Sequence, residues 1–236
     1  MYTLNHQKLR FYVAIGAAAV AVSLLTAGGR VNAAELPVCW DDGSPSQNWT
    51  DADNWDPSTI GGPRNIGVLE FLVTIGCITG SHPTGAYTPV NFNAATPVQV
   101  TDLLLRNDSR LVLNPGTDLT VLRSAEIAGV IDAQGGDFTA LDPSAAFTGN
   151  RARVYSSDGS TARIGAATYS SKGLWYDDGL YYTEATFNFD LFMATGPGSL
   201  LDLSFLTSID AEVNTTGNDH NAGNDHTIQH ISASNG

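Results

Sequence analysis

Basic residues are scarce in this chain, and cysteine is almost absent. The 236 residues contain 24 Asp and Glu against 11 Lys and Arg, and only two cysteines. A surface with so few positive charges would repel a phosphate backbone, so we expect no nucleic-acid partner. Beyond the first thirty-odd residues, no apolar run is long enough to span a bilayer as a helix, and we expect no membrane span there.

Residues 1–33 have the layout of a secretory signal peptide. A basic start is followed by an almost unbroken apolar run from Phe11 to Ala27. Val31 and Ala33 are small residues at the positions that a signal peptidase recognises. We expect cleavage after Ala33. The alternative is an uncleaved anchor, because the run approaches the length of a membrane span. Removal leaves a net charge of about −16 on a protein that is secreted or held at the cell surface.

Both cysteines, Cys39 and Cys77, fall early in the exported part. In an oxidising compartment an even pair is most simply a disulfide, which would stabilise the fold by about 4 kcal/mol on the chain-entropy model. Two buried free thiols are the alternative. A zinc site is poorly supported, because two cysteines without a second pair do not make one.

The rest of the chain reads as short strands separated by turns rich in Gly, Asn, Asp and Pro, with no sustained helical period. Val, Ile, Leu, Thr and aromatic residues dominate the strand-like runs, and several alternate apolar with polar residues. These runs are 67–75, 98–105, 110–113, 118–122, 126–133, 138–141, 152–156, 162–168, 181–192, 200–206, 209–213 and 227–232. The sequence therefore predicts an all-β protein.

Two signals disagree about how the strands pair. The dipeptides Asp158-Gly159 and Asp178-Gly179 are hairpin signals, which favour an antiparallel β-sandwich or jelly roll. The segment that starts at Ala194 returns in similar form about 39 residues later, at Ser232, which favours a repeat. On the repeat interpretation, the chain is either a piece of a longer repeat protein or ends in a natural frayed terminus.

A family resemblance supports the repeat interpretation. The Trp49…Trp55 pair, followed by Gly61-Gly62-Pro63 and an apolar strand, resembles the N-terminal portion of large secreted bacterial β-repeat proteins, of the parallel β-helix or autotransporter-passenger type. The resemblance implies an extracellular β-solenoid with an N-terminal cap, and it implies no catalytic residues. We expect a signal peptide at 1–33, a Trp-rich cap at 34–96 and a β-repeat body at 97–236.

Aromatic residues are the strongest candidates for ligand binding, because an indole face complements the apolar face of a sugar and nearby Asn and Asp bind hydroxyls. Trp40, Trp49, Trp55 and Trp175 fit such a platform. The interpretation we favour is that Trp49 and Trp55 plug the first edge of the β core. A second cluster surrounds a later Asp-Gly turn. Its expected ligand-binding residues are Trp175, Tyr176, Asp177, Asp178 and Tyr181.

A repeated Gly-Asn-Asp phrase gives a candidate metal site at Asp219, His220, Asp225 and His226. Aspartate oxygens in glycine turns suit Ca²⁺, whereas a group of imidazoles suits a transition metal. A polar surface loop with incidental histidines is the alternative. We expect no cofactor apart from this possible Ca²⁺.

No catalytic motif accompanies these candidates: the chain has no nucleophile elbow, His-Glu-x-x-His, P-loop or dinucleotide fingerprint. We therefore assign no catalytic residue. The sequence predicts a secreted, acidic structural or adhesive protein that binds glycans or other surface proteins and is able to self-associate. The alternative is a carbohydrate-binding module, or a polysaccharide lyase or glycosidase on a β-helix.

Overall fold

The computed structural model describes residues 34–41, 43–66, 69–76, 89–106, 109–148, 152–170, 188–210 and 228–234. This part of the chain consists of β-strands and one short 3-10 helix (Ala52–Asn54). The prediction of an all-β protein is confirmed.

Most strands are short, and they are numbered here in chain order. The first nine are β1 (Ala34–Trp40), β2 (Trp55–Asp56), β3 (Leu69–Ile75), β4 (Val90–Phe92), β5 (Val98–Leu105), β6 (Arg110–Leu113), β7 (Asp118–Ile127), β8 (Val130–Gln134) and β9 (Asp137–Ala140). The others are β10 (Ala146–Phe147), β11 (Arg153–Ser157), β12 (Thr161–Ile164), β13 (Thr168–Ser170), β14 (Asn188–Thr195), β15 (Leu200–Asp202), β16 (Ser208–Asp210) and β17 (Ile228–Ser234).

Two large sheets contain nearly all of these strands. The first has the order β15-β12-β9-β7-β5-β3-β1-β2, with β10 beside β7, and the second has the order β17-β14-β11-β8-β6-β4. A third, small sheet pairs β13 with β16. From β5 to β9, consecutive strands alternate between the two large sheets, so that β5 pairs with β7, β6 with β8, and β7 with β9.

Parallel pairing dominates both large sheets. Among the described strands, the antiparallel exceptions are the pair β1–β2 and the isolated bridge between Ile66 and Leu69. The alternative of an antiparallel β-sandwich or jelly roll is therefore wrong for this part of the chain.

The hairpin predicted at Asp158-Gly159 is also wrong. This turn joins β11 to β12, which lie in different sheets. Both residues have positive φ, 56° for Asp158 and 79° for Gly159, so the dipeptide has the backbone of a tight turn without pairing the strands that flank it. The second predicted hairpin, at Asp178-Gly179, lies outside the described residues.

The offset between paired strands is shorter in the middle of the chain than at its end. Arg110 pairs with Val130, which in turn pairs with Arg153, so about 20 residues separate partners there. Thr195 pairs with Ser234, 39 positions later. This register brings the related segments at Ala194 and Ser232 together on paired strands, and the repeat itself stays a prediction.

Stacked apolar side chains fill the space between the sheets. In the second sheet, five residues in register across five strands are fully buried: Val90, Leu111, Ile131, Val154 and Phe192. The first sheet contributes a parallel stack that includes Leu119, Phe138 and Ala162. The buried apolar residues form one cluster, to which β1 and β3 of the predicted cap and β5 of the predicted body all contribute.

Turns at one corner stack on each other in the same way as the strands. The N–H of Gly116 donates to the carbonyl of Gly135 at 3.0 Å, and the N–H of Gly135 donates to the carbonyl of Ser157 at 3.0 Å. Gly116, Gly135 and Gly159 all have φ near +76 to +79°. The corner is therefore built from equivalent turns whose backbone groups bond to one another.

Two of the expected strands are divided by such corners. The predicted run 126–133 belongs to two strands, because the chain passes from the first sheet to the second at Ala128 and Gly129. The run 162–168 is likewise interrupted after Ile164, and β13 starts at Thr168. Strand β1, immediately after the predicted cleavage site, has no counterpart among the predicted runs.

Candidate functional site

The tryptophans at the N-terminal end are core residues. Trp49 and Trp55 are at most 1% exposed, and Trp40 is also buried. Trp55 makes edge contacts with both other indoles, at centroid distances of 5.1 Å to Trp40 and 4.8 Å to Trp49, and Trp49 contacts Phe92 of β4 at 5.0 Å. A sugar-stacking platform on these three tryptophans is therefore excluded, because no ring face is open to a ligand.

Hydrogen bonds hold the segment around these rings in one conformation. The indole N–H of Trp55 donates to the carbonyl of Trp49 at 2.8 Å. Asn54, fully buried, accepts from the N–H of Ser44 at 2.8 Å and donates to the carbonyl of Asn48 at 3.2 Å. The polar residues of the Asn-Trp…Asn-Trp phrase thus satisfy the backbone that surrounds the buried indoles.

Asp51 organises the turn that precedes the 3-10 helix. Its carboxylate accepts from the hydroxyls of Ser44 at 2.7 Å and Ser46 at 2.6 Å, and from the N–H of Asp53 at 3.1 Å. These three bonds favour the charged form and lower the pKa of Asp51. The Asp51 carboxylate therefore stabilises the folded turn.

This cap segment is attached to both large sheets. On one side Trp55 pairs with Trp40 of β1. On the other side, the N–H of Trp49 donates to the carbonyl of Asn91 in β4 at 2.9 Å, and Asn91 donates in return to the carbonyl of Gln47. The segment thus closes the N-terminal end of both sheets.

Cys39 lies in β1, in register with Thr74 of β3. Its expected partner, Cys77, follows Thr74 by three positions in the sequence and lies outside the described residues. The Cys39–Cys77 disulfide stays a prediction.

All of the expected ligand and metal residues also lie outside the described residues. They belong to two segments, 171–187 and 211–227: Trp175, Tyr176, Asp177, Asp178 and Tyr181 in the first, and Asp219, His220, Asp225 and His226 in the second. Elsewhere in the chain, where the structure is described, no group of three or more His, Cys, Asp or Glu side chains is arranged to hold a metal ion.

The strands that flank these two segments pair with each other. Ser170, the last residue before the first segment, is in register with Asp210, the last residue before the second. Asn188 and Ile228, the first residues after them, are also in register. The strands that precede the two segments are therefore neighbours, and so are the strands that follow them.

A charged network crosses the outer face of the second sheet. Alternation along β8 directs Asp132 away from the core, yet its side chain is only 5% exposed, because Arg110 forms an ion pair with it and Gln134 donates to it at 2.8 Å. On β11, the Tyr155 hydroxyl donates to the carbonyl of Asp190 at 2.9 Å. Desolvation is the main cause of the raised pKa of this phenol. The ion pair joins β6 to β8, and the Tyr155 hydrogen bond joins β11 to β14.

The outer face of the first sheet has a shallow depression of about 190 Å³. Its outward-facing lining includes Leu72, Thr74, Asp102, Leu104, Ser124 and Glu126. Arg123 donates to both carboxylate oxygens of Asp102, at 2.9 and 2.6 Å, and to Glu35 at 2.8 Å. Arg123 already binds both carboxylate oxygens of Asp102. The depression is therefore better described as a sheet surface stabilised by ion pairs than as a reaction site.

One pair of carboxyls faces across neighbouring strands. Asp118 of β7 and Asp137 of β9 are in register. The pKa of Asp118 is raised, first by desolvation and then by the negative charge of Asp137. Asp137 itself accepts from the N–H of Thr161 at 2.7 Å. Asp137 thus joins β9 to β12, while Asp118 faces it from β7.

Sequence reasoning missed the residues of these outer-face networks. Arg110 and Asp132 are 22 positions apart, and Arg123 and Glu35 are 88 apart, so no local pattern joins them. The one available signal is their position in strands that pair in register, which the turn residues at the corners help to fix.

Within the described ranges, the structure has no helix of the length and apolar character that crossing a membrane requires. Comparison with known proteins gives no relative for this chain: no family model, curated protein or solved structure matches it.

Proposed function

We propose that the protein is a secreted β-solenoid with a structural or adhesive role at a cell surface or in an extracellular matrix. The observation that carries the proposal is the register of the strands: parallel partners recur along the chain around one continuous apolar core. Such stacking produces a long, regular surface suited to shallow, multivalent binding. A glycan or another surface protein is the expected partner.

The solenoid interpretation is supported by the stacking of equivalent positions in neighbouring strands and turns. Inward-facing residues lie over inward-facing residues, as from Leu111 to Ile131 to Val154, and turns bond to equivalent turns. A repeat unit of about 20 residues cannot bury its apolar face alone and needs neighbours on both sides. Repetition of this kind supports a scaffold function.

Ligand binding is proposed for the two segments that leave the corner after β13 and β16. Segment 171–187 carries the aromatic cluster around Trp175, and segment 211–227 carries the Asp and His residues. The proposal is supported by the pairing of the strands that flank the two segments on both sides. Aromatic faces and hydrogen-bonding groups from neighbouring attachment points suit an extended polysaccharide.

A glycan array probed with the mature chain, 34–236, tests this proposal. We expect selective binding to a subset of glycans and at least about a tenfold loss of affinity in Trp175→Ala. Phe205→Ala is the matched control, because Phe205 is a half-exposed aromatic residue outside both segments. Equal binding by the two variants would remove Trp175 from the site. Reducing-sugar release that is lost in Asp177→Asn would establish catalysis instead.

Calcium binding by segment 211–227 is tested by thermal unfolding. A ligand that binds only the folded state raises the melting temperature, so we expect added Ca²⁺ to raise it and EDTA to lower it. The double variant Asp219→Asn, Asp225→Asn should lose the response. An EDTA-insensitive wild-type melting temperature would contradict the calcium site.

Secretion is tested by the N-terminus of exported protein. We expect mass spectrometry to find Ala34 as the first residue, after cleavage behind Ala33. Exported protein that retains residues 1–33 would contradict the proposal and favour an anchor.

A further inference from the structure

We infer that the outer face of the first sheet binds a linear amino-sugar polysaccharide, which lies across the strands along one row of polar side chains. This polar row takes one residue from each of four adjacent strands: Gln99 of β5, Thr120 of β7, Thr139 of β9 and Arg163 of β12. The four residues are in register. The site contains no residue of segments 171–187 and 211–227, so it goes beyond the binding proposed for them.

Alternation along the strands directs the polar row away from the core. The residues that immediately precede its members are all buried: Val98, Leu119, Phe138 and Ala162. Since successive side chains of a strand point to opposite faces, the row itself faces outwards. Its end members, Gln99 and Arg163, are exposed, and the two threonines between them are partly exposed. Neighbouring strands lie about 4.8 Å apart, so the row presents a hydrogen-bonding side chain at that interval.

The side chains of the polar row keep their hydrogen-bonding groups available. Elsewhere on the same face, polar side chains bond to each other, as Arg123 does to Asp102. Among the described residues, no member of the polar row uses its side chain in a hydrogen bond or an ion pair. A ligand with many hydroxyl groups can therefore bond to the row without breaking a bond of the fold.

A pair of carboxyls beside the polar row sets the charge of the ligand. Asp118 and Asp137 precede the two threonines by two positions, so they lie in register on the same face. Within the described part of the chain neither carboxyl forms an ion pair, and each disfavours the charge of the other. The cation of the row, Arg163, has Asp202 of β15 in register beside it. A ligand ammonium group next to Asp118 and Asp137 would relieve their repulsion.

The spacing of the polar row favours a sugar chain over a basic peptide. A pyranose with its linkage is about as long as the distance between neighbouring strands, so successive sugars of an extended chain meet successive strands. In an extended peptide, the side chains of one face recur at about 6.8 Å, twice the rise per residue, and do not match the strands. Leu122 lies two positions after Thr120 and is 48% exposed, which adds an apolar contact for a ring face.

Calorimetric titration of the mature chain, 34–236, with a hexamer of β-1,4-linked glucosamine tests the inference. At a mildly acidic pH the sugar amino groups are protonated, and we expect this hexamer to bind at least about tenfold more tightly than its N-acetylated form. Added salt should weaken the binding. Two variants probe separate groups: Asp118→Asn removes a carboxylate, and Thr139→Val removes a hydroxyl. Each should raise the dissociation constant about three- to tenfold.

Asp190→Asn is the matched control, because it removes the same charge from a strand of the second sheet. It should bind like wild type, and so should Trp175→Ala, whose loss of binding would instead assign the ligand to segment 171–187. Absence of binding, equal binding of the acetylated hexamer, or wild-type affinity in both Asp118→Asn and Thr139→Val would overturn the inference. An equal loss in Asp190→Asn would do the same, since net charge alone would then attract the ligand. Were one variant to misfold, the other and the comparison of the two hexamers would still decide.

Discussion

The buried tryptophans combine apolar area with hydrogen bonds that the surrounding residues supply. Trp49 is fully buried, its backbone N–H bonds to β4, and its carbonyl accepts from the indole of Trp55. Gly62 packs directly on the indole of Trp49, and a Cβ at that glycine would overlap the ring. This close packing explains why the Asn-Trp phrase and the Gly-Gly that follows it occur together.

Truncation of Trp49 should destabilise the protein strongly. We expect Trp49→Ala to lower the free energy of unfolding by about 3–5 kcal/mol, because it removes buried area and leaves a cavity against Trp55 and Phe92. Urea unfolding measures the change. Phe205→Ala, at a half-exposed aromatic residue, should stay within about 0.5 kcal/mol of wild type. A similar loss in both variants would contradict a core role for Trp49.

The raised pKa of Asp118 predicts a pH dependence with a definite sign. A carboxyl whose folded pKa lies above its unfolded value contributes stability that is fully present below the unfolded pKa and is lost as pH rises through the folded pKa. Asp118→Asn removes this loss. Relative to wild type, the variant should therefore become more stable from about pH 3 to about pH 7, as followed by thermal unfolding.

Asp142 supplies the opposite control for this experiment. The hydroxyl and the N–H of Ser144 lower its pKa, so its contribution is present above the unfolded pKa and is lost as pH falls through the folded pKa. Relative to wild type, Asp142→Asn should lose stability over the same rise in pH. The same pH trend in both variants would show that net charge, and not the local environment, controls the response.

Strand prediction succeeds where local pattern and tertiary structure agree. The runs 98–105 and 110–113 are predicted with their observed bounds, since Leu, Val and Thr dominate them and turn residues border them. Strand prediction fails at Gly129, because the apolar run 126–133 continues through a corner between two sheets and its composition does not mark the boundary. It also fails at Asp158-Gly159, since a turn of this kind serves a corner between sheets as well as a hairpin.

Gly129 is required by close contact between stacked corners. A Cβ at this position would lie 2.6 Å from the carbonyl oxygen of Arg106 and closer still to that of Ser109, both backbone atoms. We expect Gly129→Ala to lower the midpoint of urea unfolding clearly. Gly116→Asn is the contrasting variant, because Gly116 has open space around its Cα and Asn tolerates its positive φ. It should be nearly neutral, and an equal loss in both would contradict the contact argument.

Taken over all the described residues, the buried apolar side chains form one cluster that includes Trp40, Trp49 and Trp55 and reaches Phe192. This continuity predicts cooperative unfolding of the predicted cap and body together. The tryptophan fluorescence and far-UV circular dichroism of the mature chain should therefore follow the same urea transition. Fluorescence that changes well before the circular dichroism would show that the cap unfolds independently, as some repeat arrays do.

The candidate site follows from the sequence only as a set of residue types. Aromatic and acidic residues near Trp175 suggest a ligand, but nothing local relates them to Asp219 and His226 more than forty positions later. The pairing of the strands that flank the two segments is a consequence of strand register, which long-range core packing determines. Composition alone does not reveal that relation.

The number of residues between paired strands differs along the chain. This difference shows how much the length of the connecting segment can vary. Parallel partners are in register both where about 20 residues separate them, as for Arg110 and Val130, and where 39 do, as for Thr195 and Ser234. Loop-closure entropy rises by only about 0.6 kcal/mol for each doubling of loop length. A change in the number of residues between two paired strands therefore costs the fold little conformational entropy, provided that the strands keep their register.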